Sequence, residues 1–341
     1  MTLNELRELV FKNRKRIVIG GVVVALIIGA FALAERLGRE QKPPEDTGQE
    51  VQYPEGSQPP PSGVDISGVK ILTAAIPDEI SIYSVVSSQP SFSEAEVVNF
   101  AKDLGFEETW VSKESTEGND NYIFTKGEKF LTIDTFPPSL FFSTDSPLPN
   151  GKVPSEEQSV TAGGSLLSKI GLEDLTPLPG SYRLLAADSA HFFVTEDAAS
   201  ANLVSATFAP EKNDIPIVGD TSASLSATAF LDATKIIVSL RYYKTNLQIE
   251  SIGTVRIKPI DTAITEAKNG AGKVVGAEPF EELDIDAKPN VLSSFSPSSV
   301  YLAYYLSGGS KLLPIYVFGG IGVMASGDGE VVATVYLPAA E

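Results

Sequence analysis

The longest uninterrupted apolar pattern in the chain covers residues 17–34, eighteen positions (IVIGGVVVALIIGAFALA) without a charged side chain. Wound as a helix it would be about 27 Å long, close to the ~30 Å hydrocarbon core of a bilayer, so the pattern predicts one transmembrane helix over 17–34. Lys12, Arg14, Lys15 and Arg16 crowd its leading side, and basic residues beside a span mark the cytoplasmic end. Residues 1–16 then form a cytoplasmic tail, with Leu3, Leu6, Leu9 and Val10 at helical spacing, and the bulk lies outside the cell membrane. A cleaved secretory signal competes, because Ala32-Leu33-Ala34 fits a small-residue cleavage site. The run is longer than the roughly 7–15 apolar residues of such a signal.

Beyond the span the apolar pattern stops. Residues 35–68 are rich in Pro, Glu, Gln and Gly (KPPEDTGQE, PEGSQPPPSG), with too little apolar surface to offset the entropy of ordering. They read as a disordered stalk. Strict alternation starts at 80–85, a strand. SFSEAEVVNFAKDLGF follows as the clearest soluble helix: Ser93 and Glu96 stand at capping-box spacing, Val97, Phe100, Ala101 and Leu104 share a face, and Gly105 supplies the stop. Strands at 121–124 and 130–134 flank the turn Lys126-Gly127-Glu128, and 139–144 adds another.

Residues 146–158 (SPLPNGKVPSEEQ) read as a linker. After it come a helix around 165–170 ended by Gly171, and strands at 182–186, 191–195, 203–208, 215–218, 227–231 and 236–243. A short helix over 260–267 ends at Asn269-Gly270, and a meander closes the chain at 300–306, 312–318 and 331–337, the last strand entered through Asp328-Gly329. The predicted class is α+β: an N-terminal transmembrane helix, a disordered stalk, and two antiparallel-sheet modules (69–145 and 159–341, the second β-rich), each with a covering helix.

Composition and charge narrow the chemistry. The absence of cysteine excludes disulfides, thiol nucleophiles, cysteine-borne lipid and Cys-based zinc sites. The net charge is −18; residues 1–16 hold five basic and two acidic side chains, +3, and −18 less +3 leaves −21 for the rest. Such a surface repels phosphate backbones, so nucleic acid is excluded as a partner. His191 is the only histidine, which rules out His-based metal clusters, and no G-x-S-x-G elbow accompanies it. The carboxylates around 117–120 and 328–330 lack EF-hand spacing. The glycine groups at 163–165, 308–310 and 319–322 lack the context that phosphate binding needs, and turn chemistry explains them. No cofactor is implied. Tyr301, Tyr304, Tyr305, Tyr316 and Phe318 fall on adjacent strands. Such a cluster forms core or, if one face stays open, a contact for protein or glycan.

Several short patterns carry a resemblance. EAEVVNFAKDLGF, LVSATFAPEKNDIPIV from Leu203, PIDTAITEAKNG from Pro259 and VYLAYYLSGGSKLLPIYVFGG from Val300 resemble segments of extracytoplasmic PepSY-like and YycH/YycI-like regulatory membrane proteins. The resemblance implies a single-pass topology and modules that associate with a membrane sensor kinase or a peptidase. It assigns no individual site residue. The expectation is a protein-binding module rather than an enzyme, with the bilayer as one partner through 17–34 and a membrane or envelope protein as the other. The alternatives are an envelope glycan hydrolase using paired carboxylates and a structural spacer.

Overall fold

The computed structural model holds eighteen strands against three helices among its described residues. It describes residues 51, 53, 57–66, 68–73, 75–87, 91–107, 111–116, 119–145, 148–149, 151–187, 192–220, 225–279, 291–308, 310–326 and 329–341. The predicted span over 17–34, its flanking Lys12, Arg14, Lys15 and Arg16, and His191 lie outside these. No helix among the described residues is long and apolar enough to cross a membrane.

A broad antiparallel sheet takes strands from both halves of the chain. Its order is β3 (Val111–Thr116), β4 (Asn119–Lys126), β5 (Lys129–Thr135), β6 (Pro138–Thr144), β13 (Ile237–Tyr243), β12 (Ala227–Asp232), β10 (Leu203–Lys212), β8 (Arg183–Ala187), β9 (Phe192–Thr195), with β7 (Leu175–Pro177) following β8 along the edge of β10. Helices α1 (Glu94–Asp103) and α2 (Glu156–Lys169) belong to the core on one face of this sheet. Val97, Phe100 and Leu167 pack there with Leu131, Ile133, Leu140 and Phe208, each large side chain contributing about 1.5–3 kcal/mol by leaving water.

A second, central sheet holds β15 (Lys273–Pro279), β18 (Glu330–Pro338), β17 (Lys311–Met324) and β16 (Leu292–Ser307) in that order. Strand β2 (Glu79–Ser87) pairs with the start of β17, and β14 (Leu247–Arg256) with β2. Two strands run parallel to β16: β1 (Lys70–Ile71) and β11 (Ile215–Val218). The two sheets join through the β10–β11 hairpin, whose turn residues Asn213 and Asp214 both hold positive φ (53° and 61°), as a type I′ turn requires. Asn213 Nδ2 donates to the Tyr83 hydroxyl at 3.0 Å and fixes the tip of the hairpin on β2. Helix α3 (Ile260–Lys268) buries Ala263 and Ala267 in the core on one face of the central sheet.

This architecture corrects the predicted class. The chain is mostly β and forms one mixed sheet in place of two modules each with its own covered sheet. Strand β6 does not end as an edge: it pairs with β13, Leu140 opposite Tyr242, so backbone groups that an edge would leave open are satisfied across the expected boundary. Both α1 and α2 cover the same sheet. Helix α2 also starts earlier than predicted, because Ser155 and Gln158, placed in the linker, form a full capping box.

The stalk expected over 35–68 is corrected only where it is described; residues 35–50 lie outside the described residues. Within the described part of 51–68, Val51 and Val64 are buried on the body, so a few widely spaced apolar anchors hold a segment whose average composition reads as unfolded. Strands β3, β14, β15 and the first half of β16 (Leu292 onward, LSSFSPSS) went unpredicted. In β3, β14 and the start of β16 the residues are mostly polar and exposed, and in β15 Val274 and Val275 are buried on opposite faces, so none shows a clear alternation.

Candidate functional site

The five aromatics flagged in the closing meander divide between the two faces of the central sheet. Tyr304, Tyr316 and Phe318 join the core with β2 and α3, while Tyr301 and Tyr305 join the opposite one with Val51, Leu178 and Val218. All five are buried. Three hydroxyls donate to acceptors at the edge of the core: Tyr304 to the Ser81 carbonyl at 2.8 Å, Tyr305 to Oδ1 of the exposed Asp220 at 2.7 Å and Tyr316 to the Lys258 carbonyl at 2.7 Å. Burial pushes the Tyr316 hydroxyl up to about 12 and drives those of Tyr301, Tyr304 and Tyr305 higher still.

A different aromatic group faces outward. In β5, Leu131 and Ile133 turn toward the helices, so Phe130, Thr132 and Asp134 take the other face; in β6 and β13 the same alternation leaves Phe141 and Tyr243 on it. Phe130, Phe141 and Tyr243 are 37%, 36% and 44% exposed. The register is Phe130 opposite Ser143, Thr132 opposite Phe141, Phe141 opposite Arg241, and Ser139 opposite Tyr243. Each aromatic is therefore one strand over and two residues along from the last, and the three form a diagonal with steps of about 7–8 Å.

The surroundings of the diagonal are fixed. The Arg241 guanidinium lies 5.8 Å from the Phe141 ring centre and 5.6 Å from that of Phe230, cation–π distances that hold the rings in place. Asp134 accepts from Asn121 Nδ2 at 2.7 Å and from the Ser139 hydroxyl at 3.2 Å. Asn119 Oδ1 accepts from the Thr135 and Phe136 amides at 3.1 and 2.9 Å and ties down the β5–β6 turn, where Phe136 is also exposed. Thr132, Ser139, Ser143 and Ser239 fill the positions between. The result is a rigid, aromatic and hydroxyl-bearing surface with little formal charge on a strongly acidic chain.

Sequence reasoning passed over this diagonal. The signal was present as doublets: Phe130-Leu131, Phe141-Phe142 and Tyr242-Tyr243 place an apolar residue on both faces of a strand that needs only one. Elsewhere, no group of three or more His, Asp or Glu that could hold a metal ion occurs among the described residues. Among the described residues two carboxyl groups are perturbed, both downward. Burial draws Glu96 upward, but hydrogen bonds from Lys244 and Ser93 outweigh it; Asp120 is lowered by Lys113 and then Ser115.

No family model and no curated protein matches the sequence. Among solved structures, a crystal structure of an uncharacterized protein from Eubacterium rectale ATCC 33656 is similar at 14% identity and a TM-score of 0.47, over 79% of this chain and 86% of its own. The YpeB C-terminal domain of Bacillus megaterium is similar at 11% identity and a TM-score of 0.37, over 72% of this chain and 99% of its own. At these values neither likeness carries an argument about activity.

Proposed function

We propose that this chain is a binding module, tethered to the membrane by residues 17–34, that contacts another membrane protein through the Phe130–Phe141–Tyr243 diagonal. A sensor kinase or a peptidase is the partner class that the short-motif resemblance favours. The observation that carries the reading is the diagonal itself. Three large rings stand on the uncovered face of a sheet where the strand pattern calls for polar residues, and burying them against a partner would recover the hydrophobic stabilisation that the isolated chain forgoes. Aromatic anchors with a nearby Arg, framed by small hydroxyl side chains, are the composition of interface hot spots.

The test is recovery of the full chain from membranes in mild detergent, wild type beside Phe130→Ser/Phe141→Ser/Tyr243→Ser. The wild type is expected to bring down a stoichiometric integral protein and the triple variant to lose it, with thermal unfolding unchanged. Equal recovery of the same protein by both would refute the assignment of the surface.

A further inference from the structure

The segment 51–63 is too polar to fold alone, yet it occupies fitted places on the central sheet. The Tyr53 ring stacks on Tyr305 with centres 6.5 Å apart and planes 20° apart. Tyr305 is itself held by Asp220 and by the Tyr336 ring at 5.4 Å. Val51 is buried in the same cluster. Farther along, Gln58 pairs antiparallel with Val274, its carbonyl accepting from the Val274 amide at 2.8 Å. The Pro60 carbonyl passes 3.1 Å from where a Cβ on Gly270 would stand, and Gly270 holds a φ of 85°. The Gly63 amide then donates to the Lys268 carbonyl at 2.8 Å, satisfying the end of α3.

An aromatic platform, main-chain pairing and a slot free of side chains are what a receptor offers to an extended, proline-rich peptide. The prolines at 59–61 arrive with φ already fixed, so docking orders little that was free. The ring stack, the strand-like pair and the backbone bond of this segment reach Tyr305, Val274 and Lys268, each more than two hundred residues later in the chain (274 − 58 = 216 for the strand-like pair), while Val51 also packs among nearer residues such as Ile82 and Leu178. Gly63 ends the segment at φ 81°, a left-handed turn that favours glycine.

We propose that this groove is a recognition site for the segment 51–63, filled from within the same chain by the described residues 51, 53 and 57–63, and that it accepts the identical segment of a second copy. A second copy is the partner the fit selects, because the sequence seated on the platform, in the strand pairing and along the Gly270 slot is the chain's own. Exchange preserves every contact and changes only which chain supplies the segment. The proposal is independent of the diagonal on the broad sheet.

The absence of cysteine makes the test clean. Full chains carrying Gln58→Cys and Val274→Cys separately, with different tags, are co-expressed and oxidised. Disulfide-linked heterodimers are expected; their absence, while a chain bearing both substitutions closes its own internal disulfide, overturns the exchange. Should the paired cysteines fail to close even within one chain, a labelled peptide of residues 51–63 decides. It is expected to bind a full-length Val51→Ser/Tyr53→Ser chain saturably and at least tenfold more tightly than wild type. No saturable binding to that variant, with cooperative unfolding retained, would overturn the site.

Discussion

Two adjacent glycines in α2 should respond to the same substitution with opposite signs. A Cβ built on Gly163 meets Cε2 and Cζ of Phe208 at 2.7 Å, whereas one built on Gly164 meets Cε1 of the same ring at 3.9 Å. Both sit inside the helix, where replacing glycine by alanine gains about 0.5–1 kcal/mol from lost chain entropy and better propensity. For Gly164→Ala that gain stands alone, and about 1 kcal/mol of stabilisation is expected. For Gly163→Ala the new methyl falls well inside the ~3.5–4.0 Å of an ordinary carbon contact. Phe208 is 1% exposed and walled in by the broad sheet's core, so it cannot swing away. Overpacking of this kind costs about 1–3 kcal/mol, which leaves Gly163→Ala net destabilised by about 1 kcal/mol. The two variants should therefore differ by about 2 kcal/mol, a separation near 0.7 M in urea midpoint at a slope of about 3 kcal/mol/M. Adding Phe208→Leu to Gly163→Ala should recover part of the loss as a favourable coupling. If both alanines stabilise equally, the close approach of α2 to β10 is wrong.

Ser93→Ala removes one half of the box that caps α1, in which Ser93 and Glu96 each satisfy the other's amide, and should cost about 1 kcal/mol in a denaturant titration. Gly320→Ala would set a Cβ 2.2 Å from the Ser296 carbonyl oxygen and 2.5 Å from Pro297 Cα, backbone atoms at the β16 bulge; a loss of at least about 3 kcal/mol is expected. Gly319→Ala, which meets only the Ser299 hydroxyl at 3.2 Å, should lose far less in the same assay. The Glu96 carboxyl is depressed in the folded chain, so its contribution is present above the ordinary value of 4.5 and drains as the pH falls from there through the folded pKa. With its side chain 41% exposed and paired to Lys244 at 2.6 Å, the effect should stay below about 1 kcal/mol. Melting temperatures at pH 7 and pH 3 should fall closer together for Glu96→Gln than for wild type.

Local chemistry was readable wherever it was self-contained. Ser93, Glu96 and Gly105 define α1 without help from elsewhere, and the structure places Gly105 at φ 89° just past its end. What escaped was everything decided by a partner far along the chain. Gly163 and Gly320 read as turn residues because only the ring of Phe208 and the backbone at Ser296 explain why a side chain is forbidden there. The closing tyrosines were legible as a cluster, with core and open contact face both left standing; the choice needs the covers on their two faces, which come from β2, α3 and the segment holding Val51. The outward diagonal needs the register of three strands, two of them about a hundred residues apart (Phe141 opposite Arg241), and no window of sequence contains that.

The bond from the Leu302 amide to the Thr73 hydroxyl joins positions 229 residues apart, and β2 likewise waits for β14 and β17 before it has neighbours. A growing polypeptide that has emitted β1 and β2 thus holds Ile82 and Tyr83 with nothing to lean on until the late strands emerge. That delay leaves β1 and β2 without their partners while all the intervening strands are made. It also means that a ribosome stalling before β16 would release a product with half of its framework missing, one that proteases should clear rather than leave as a working fragment.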